Sequence, residues 1–84
     1  MTIRTILVTP EKANKVLKDK FGHAFRSEKE YFKEGDIITL RVVKKQKTVL
    51  HSVDKHTYIV TTVLDCMNAP LEKGYQFIEY REVA

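Results

Sequence analysis

The hydrophobic and polar positions of this chain predict a series of short β-strands with one helix near the start. Apolar, β-prone segments separated by turn-forming residues occupy residues 2–8, 37–43, 48–53, 57–64 and 75–83, and a shorter strand is possible at residues 23–26. The predicted order is therefore β-α-β-β-β-β-β. Short connections and little helix favour a small, strongly curved sheet or barrel over a doubly wound α/β fold.

The helix is predicted directly after the first strand. Thr9 is a suitable N-cap, and Pro10 fits the first helical position. One apolar stripe recurs at steps of three and four residues, through Ala13, Val16, Leu17 and Phe21. Gly22 is well placed as a left-handed C-terminal cap. We therefore expect an amphipathic helix that packs on the sheet and turns most of its lysines the other way.

The segment between the helix and the strand at residues 37–43 is a charged loop at residues 27–36. Tyr31 and Phe32 lie within it, and two aromatic residues in a polar loop are expected to plug the end of a barrel. Gly35 can take the positive φ that a tight entry turn needs, and Asp36 can accept hydrogen bonds from nearby backbone amides. The last strand, residues 75–83, changes its alternation midway, which predicts burial on both faces or a bulge.

The length and composition place the chain among small soluble globular proteins. Its 84 residues make a single domain, 43% of them are apolar and 31% are charged. No apolar stretch approaches the roughly 18 residues of a membrane span, and the first residues lack the pattern of a secretory signal. The single cysteine, Cys66, excludes an intrachain disulfide and fits a reducing cytoplasm. The sequence therefore predicts a cytoplasmic protein without a membrane partner.

The positive charge is concentrated in the first part of the chain. Residues 1–64 hold 13 Lys and Arg against 7 Asp and Glu, whereas residues 65–84 hold 2 against 4. The cations form two clusters, one on the helix (Lys12, Lys15, Lys18, Lys20) and one at a predicted hairpin (Arg41, Lys44, Lys45, Lys47). Such clusters can bind a polyanion. The alternative is that these lysines only solvate a helix face and a turn.

Metal, nucleophile and cofactor sites have little support in the sequence. His51 and His56 flank a turn, His23 and Cys66 lie far from them, and no C-x-x-C or H-x-x-x-H spacing occurs. Cys66 has no helix start or motif around it that would activate a thiol. The glycines are isolated, so no phosphate-binding glycine loop is present. We therefore expect neither a metal nor a cofactor.

A ligand site is a better fit to the residues around the predicted loop. Arginine beside aromatic rings can hold a phosphate while a base stacks on a ring, as in many single-strand binders. The candidates are Lys20, His23, Arg26 and Tyr31, together with the hairpin lysines. The alternatives are a salt bridge from Arg26 to Glu28, Glu30 or Asp36, and burial of Tyr31 and Phe32 in the core.

These segments resemble the ASCH domain of the PUA-like superfamily. The resemblance is carried by a strand at residues 3–8, a helix at 11–20, Phe25-Arg26, the opener Phe32-Lys33-Glu34-Gly35-Asp36-Ile37 and a closing glycine-aromatic segment at 71–80. It covers most of the chain. It implies a small β-barrel with a helix beside a basic cleft, and an association with RNA or modified nucleosides. In that picture Lys20, His23, Arg26 and Tyr31 line the cleft, and Arg41, Lys44, Lys45 and Lys47 contact phosphates at its periphery.

There are two alternatives to an RNA- or nucleotide-binding module, an enzyme that the resemblance implies and an interaction or accessory module that the modest charge and the aromatic last strand suggest. Some small ASCH proteins are amidohydrolases that act on acylated cytidine, and here Lys20, His23 and Glu28 would be the catalytic candidates. Their lysine lies in a G-[KR]-K-T turn, whereas this chain has Asp19-Lys20-Phe21-Gly22-His23, which favours binding over catalysis. The second alternative is a protein-interaction module. In it the aromatic last strand (Tyr75, Phe77, Tyr80) would lie at a sheet edge and pair two copies into a homodimer.

Overall fold

The computed structural model describes residues 3–83, without the side chain of Glu28. Its elements are β1 (Ile3–Val8), α1 (Pro10–Asp19), β2 (Phe21–Ser27), β3 (Ile37–Lys44), β4 (Lys47–Val49), β5 (Thr57–Leu64) and β6 (Tyr75–Glu82). Short 3₁₀ turns lie at Glu28–Glu30 and Ser52–Lys55. Within the described residues the domain is β-rich α+β with the predicted order of elements. Across this range, no helix combines the length and the apolar character that crossing a membrane requires.

The strands form one mixed sheet. Six strands take part, in the order β1-β3-β5-β6-β2, and β4 pairs with the remaining part of β3. β1 runs parallel to β3, with Ile3 opposite Ile37, whereas the other pairs are antiparallel. Two parallel strands need a crossover connection, because the end of the first and the start of the second lie at opposite ends of the pair. Here the connection passes through α1 and then through β2, which lies at the far edge of the sheet. Helix α1 provides the first part of that crossover.

The sheet is open, which corrects the expected barrel. Over residues 3–83, β1 pairs only with β3 and β2 pairs only with β6, so β1 and β2 are the two edges. Helix α1 packs against both β2 and β3 and buries Ala13 and Val16. Helix α1 thus packs across the sheet between β3 and β2, and no β1–β2 ladder forms among the described residues. β6 lies between β5 and β2, so the last strand is not the edge that the homodimer hypothesis required.

Helix α1 begins where the sequence predicts and ends earlier. The Thr9 hydroxyl accepts a hydrogen bond from the Lys12 amide at 3.3 Å, as expected of an N-cap. The C-cap is Lys20, which has the left-handed φ of 65° and donates its amide to the Val16 carbonyl at 2.7 Å. Gly22 as the cap is therefore wrong. It lies inside β2 opposite Tyr80, because strand pairing with β6 takes over directly after Lys20.

The core lies on the face of the sheet that α1 covers. Its largest fully buried side chains are Tyr58, Tyr80, Ile6, Ile38, Leu40, Ile78, Val42, Val53 and Val60. Phe32 from the charged loop is also buried, as predicted, and its backbone N–H donates to Gln76 Oε1 at 3.0 Å. The Arg4 guanidinium lies 4.1 Å from the centre of the Phe32 ring. Tyr31, by contrast, is exposed and does not plug the sheet.

The predicted strand at residues 48–53 is shorter in the structure. β4 ends at Val49, and the chain then forms the 3₁₀ turn at Ser52–Lys55. The His51 ring caps this turn, since its Nδ1 accepts from the Val53 amide at 3.0 Å while its Nε2 lies 2.8 Å from Asn14 Oδ1 on α1. These contacts hold the segment against the helix instead of in the sheet. The burial on both faces or bulge predicted for the last strand is not found, because β6 alternates regularly between buried and more exposed residues. The irregularity lies in β5, as a register shift between Val60 and Thr62 opposite β6.

The β3–β4 hairpin can be stabilised by changing its turn. Lys45 and Gln46 have φ of 52° and 65°, the two positive values of a type I′ turn, which side chains other than glycine and asparagine adopt at a cost. We expect the double variant Lys45→Asn, Gln46→Gly to raise the free energy of unfolding by about 1 kcal/mol. Urea denaturation measures this, and an unchanged or lower midpoint would contradict the type I′ assignment.

Candidate functional site

A groove of about 600 Å³ runs between helix α1 and the edge strand β2. Because β2 pairs with β6 on one side only, its other side is available to line the groove. The lining residues come from both elements: Thr9, Glu11, Lys12, Lys15, Val16, Asp19, Phe21, Gly22 and His23. The groove is thus built by the crossover that places β2 beside the helix.

The charges in this groove are not evenly compensated. Lys15 has an acidic neighbour one helical turn away on each side, Glu11 and Asp19. Lys12 is half-buried, and burial together with the neighbouring positive charge of Arg26 lowers its pKa. It forms no ion pair with any carboxylate whose side chain the structure describes. Among the described side chains Lys12 therefore has no ion-pair partner, in a groove whose lining holds two carboxylates, Glu11 and Asp19, for its two lysines.

Arg26 lies on β2 and forms a bidentate salt bridge with Glu30. Its Nε donates to Glu30 Oε2 at 2.7 Å and its second terminal nitrogen donates to Oε1 at 2.5 Å. Both side chains are partly exposed, at 27% and 34%. The hydrogen bond from Arg26 lowers the pKa of Glu30, so this carboxylate stays ionised well into the acidic range. Of the three salt-bridge partners expected for Arg26, which are Glu28, Glu30 and Asp36, the structure contains the bridge to Glu30.

Lys20 and His23 take different positions. Lys20 is the exposed C-cap of α1 and does not belong to the residues that line the groove. His23 is exposed and lines the groove, and its ring centroid lies 5.4 Å from that of Phe77. The side chain of Glu28 lies outside the described part of the structure. The catalytic candidates are therefore not seen to converge.

Tyr31 lies in the loop beyond Arg26 and does not line the groove. Its side chain is 56% exposed, and its backbone has the left-handed φ of 46°. The Tyr31 carbonyl accepts a hydrogen bond from the Arg4 guanidinium at 2.8 Å, which fixes the loop against β1. Lys33 Nζ lies 5.4 Å from the centre of the Tyr31 ring. Arg26 and Tyr31 thus flank the 3₁₀ turn at Glu28–Glu30 without sharing a described contact.

The hairpin cations belong to a separate surface. Lys44 and Lys47 pair across the β3–β4 hairpin, and Lys45 lies at its turn. All three are exposed. Arg41 is half-buried and lines a second groove, of about 640 Å³, with Leu50, His51, Ser52, Asp54 and Lys55. The structure therefore gives Arg41, Lys44, Lys45 and Lys47 no contact with the groove between α1 and β2.

Sequence reasoning assigned Lys12 and Lys15 to the helix surface and did not identify them as groove residues. Their spacing contains a signal. Lys12 and Lys15 lie four residues and one residue before the buried Val16, so they border the apolar stripe of α1 instead of lying opposite it. That position indicates side chains at the rim of the helix–sheet interface. The spacing does not show that the strand beside these two lysines is β2 or that Arg26 is near Lys12.

Within residues 3–83, no three His, Cys, Asp or Glu side chains lie close enough together to hold a metal ion. Cys66 is half-buried and unpaired in the loop after β5. The comparisons with known proteins add no family: no protein-family model matches this chain, and the curated proteins contain no significant match. The groove and the surfaces next to it are therefore the features that bear on function.

Proposed function

We propose that this protein binds RNA or another single-stranded nucleic acid and holds its phosphates in the groove between α1 and β2. The observation that carries the proposal is Lys12, which is half-buried beside Arg26 and has no carboxylate partner among the described side chains. Two cations close together in a partly desolvated place repel each other. A phosphate bound at Lys12 in the groove offsets that repulsion, whereas Arg26 is already paired with Glu30.

The rest of the groove fits the same ligand. Lys15 and His23 line it and can donate to a strand that enters, beside the carboxylates of Glu11 and Asp19. The formal net charge of +4 at pH 7 adds a general attraction for a polyanion. Arg26 contributes through its charge, since two of its nitrogens are already bonded to Glu30. Contacts of this kind are sequence-independent and weaken as salt is added.

We also propose that the domain is of the ASCH, PUA-like type. Three features support this: the order strand, helix, strand at the start, a groove beside the helix that holds Lys12 and Lys15, and the Gly-Asp opener of β3. Gly35 has a positive φ of 93°, and Asp36 Oδ2 accepts from the Lys33 amide at 2.9 Å, so this opener is a structured turn. The open sheet means that the proposal concerns an incompletely closed member of that architecture.

Binding has more support than the amidohydrolase alternative. A lysine base needs a lowered pKa and a position facing the substrate. Lys20 is an exposed helix cap outside the groove lining, whereas the lysine whose pKa is lowered in the groove is Lys12. The His23 ring packs against Phe77. Of the residues named for catalysis, Lys20 and His23 thus do not line the same groove, and the side chain of Glu28 lies outside the described part of the structure.

Replacing Lys12 tests the proposal. We expect Lys12→Met to weaken binding of a fluorescein-labelled single-stranded RNA of about 10 nucleotides by roughly 5- to 10-fold and to reduce the slope of log affinity against log salt by about 1. The measurement is fluorescence anisotropy between about 50 and 200 mM salt. Lys18→Met is the matched control, because Lys18 is an exposed lysine on the same helix that does not line the groove.

The free energy of unfolding provides a second readout for the same variant. Removing a partly desolvated charge that repels Arg26 is expected to leave Lys12→Met at least as stable as the wild type in urea. Weaker binding in a protein of undiminished stability would then reflect the lost phosphate contact. Equal affinities for Lys12→Met and Lys18→Met, or wild-type binding that is insensitive to salt, would reject the proposed function.

A further inference from the structure

A row of apolar side chains crosses the outer face of the sheet, on the side away from the core. In this row Phe25 on β2 lies opposite Phe77 on β6, which in turn lies opposite Leu64 on β5. The ring centroids of Phe25 and Phe77 are 5.1 Å apart. Phe25 is 65% exposed, and α1 packs on the other face of the sheet. A large aromatic ring is thus held in a fixed orientation with most of its surface in water.

Two further rings flank this row, one on each side of it along the strands. His23 contacts Phe77 with a centroid distance of 5.4 Å and also lines the groove between α1 and β2. Tyr75 is 48% exposed and lines a shallow recess of about 250 Å³ together with Phe25, Leu71 and Glu72. We call His23, Phe25, Tyr75 and Phe77 the aromatic platform. It connects the groove between α1 and β2 on one side with the recess on the other.

We propose that the aromatic platform stacks unpaired nucleobases of the strand whose phosphates occupy the groove, which rests on the proposed function. Each base presents a flat π face, and stacking on an exposed aromatic ring is the usual way in which proteins hold single strands without reading their sequence. Because His23 belongs to both surfaces, one strand can place phosphates at Lys12 and Lys15 and bases on Phe77 and Phe25.

The polar groups around the aromatic platform fit this occupant better than a second copy of the chain. At the groove end Lys12 and Lys15 can donate to phosphate, beside Glu11 and Asp19, and at the recess Glu72 can accept a hydrogen bond from an exocyclic amine of a base. The platform is also narrow. Glu79 and Arg81 follow Phe77 on the same face of β6, so a broad apolar patch of the kind found in stable dimers is not formed.

Substitutions at Phe25 test the platform without disturbing the core. Phe25→Leu keeps an apolar side chain but removes the ring, and it is expected to weaken single-stranded RNA binding about 5- to 10-fold while leaving the salt slope unchanged. Phe25→Tyr keeps the ring and should bind like the wild type. Affinity for a duplex of the same length, whose bases are already stacked and paired, should be the same in all three proteins.

A fluorescent reporter gives a direct readout of stacking. The chain contains no tryptophan, so Phe25→Trp introduces a single indole on the platform. We expect single-stranded RNA to quench its emission, whereas the emission of Ile3→Trp, an exposed position on the opposite edge strand, should not respond. If saturating RNA left the emission of Phe25→Trp unchanged, base stacking on the aromatic platform would be rejected.

The outcomes separate the two proposals. If the wild type does not bind RNA in a salt-dependent manner, the proposed function fails. If it does bind and Lys12→Met weakens binding while Phe25→Leu has no effect, only the platform fails. A wild-type dimer that dissociates in Phe25→Leu, with RNA affinity unchanged, would assign this face to a second copy and also overturn the platform.

Discussion

Gly22→Ala is expected to lower the free energy of unfolding by about 2–3 kcal/mol. A Cβ at this position would lie 2.7 Å from Cε2, Cζ and the hydroxyl oxygen of Tyr80, closer than Cβ atoms approach other atoms in folded proteins. The Tyr80 ring is fully buried and packs edge-on against Tyr58 at a centroid distance of 5.6 Å, so it has little room to retreat. The strand or the ring must shift. Urea denaturation measures the loss.

Two further variants identify the contact as the cause. Gly74→Ala is the matched control, because Gly74 has a positive φ of 97° but nothing within 4 Å of an added Cβ, so only the backbone cost of about 1 kcal/mol applies. Tyr80→Leu removes the outer ring atoms, so the Gly22→Ala penalty should shrink by at least about 1 kcal/mol in a Tyr80→Leu background. Additive effects of the two substitutions would show that the clash is absent.

Alkaline pH is expected to destabilise the protein through Tyr80. The hydroxyls of Tyr58 and Tyr80 are buried and have no hydrogen-bond partner among the described residues. Burial, and to a smaller extent the neighbouring Tyr58, raise the pKa of Tyr80 from 10.0 to about 12, and burial also raises the pKa of Tyr58. The folded state therefore keeps its proton in a range where the unfolded chain has lost it.

The direction of the pH dependence follows from this difference in the pKa of Tyr80 between the folded and unfolded states. The contribution of the protonated Tyr80 to the free energy of unfolding is fully present below pH 10. It is lost as the pH rises to about 12, and the total loss is roughly 2–3 kcal/mol. Lysines also titrate in this range, so the measured quantity is the difference in unfolding free energy between the wild type and Tyr80→Phe. We expect the wild type to lose stability more steeply with pH than the variant.

Tyr80→Phe has a second expected effect at neutral pH. An unpartnered buried hydroxyl costs free energy, so its removal should leave stability unchanged or raise it by about 1 kcal/mol. A clear loss of stability at neutral pH, or identical pH profiles for the wild type and the variant, would contradict the buried, unpartnered state of this hydroxyl.

Local signals in the sequence were sufficient for most of the secondary structure. Thr9 and Pro10 begin the helix because a side-chain oxygen and a fixed φ act within a few residues of each other. Gly35 and Asp36 open β3 for the same reason, with a left-handed backbone and a hydrogen bond to the Lys33 amide. The strands β1, β3, β5 and β6 follow the apolar pattern that predicted them.

Errors arose where a tertiary contact competes with a local preference. Gly22 was expected to cap the helix, but pairing with β6 and the Tyr80 ring over its α-carbon place it inside β2. Lys20 takes the left-handed cap instead. The apolar pattern at residues 48–53 predicted a strand, but the His51 ring caps a 3₁₀ turn and contacts Asn14 on the helix. Neither contact can be read from residues that are adjacent in sequence.

The candidate site also combines features that local sequence predicts with features that depend on the tertiary structure. The sequence by itself determined the supply of charge and the early helix with its lysines, because composition and helical period are properties of local sequence. Only the tertiary structure decided that β2 is an edge strand beside α1, that Lys12 lies near Arg26, and that β6 is inside the sheet. Strand order depends on which apolar faces pack together across the whole chain, and this is why the groove and the aromatic platform could not be predicted from their residues alone.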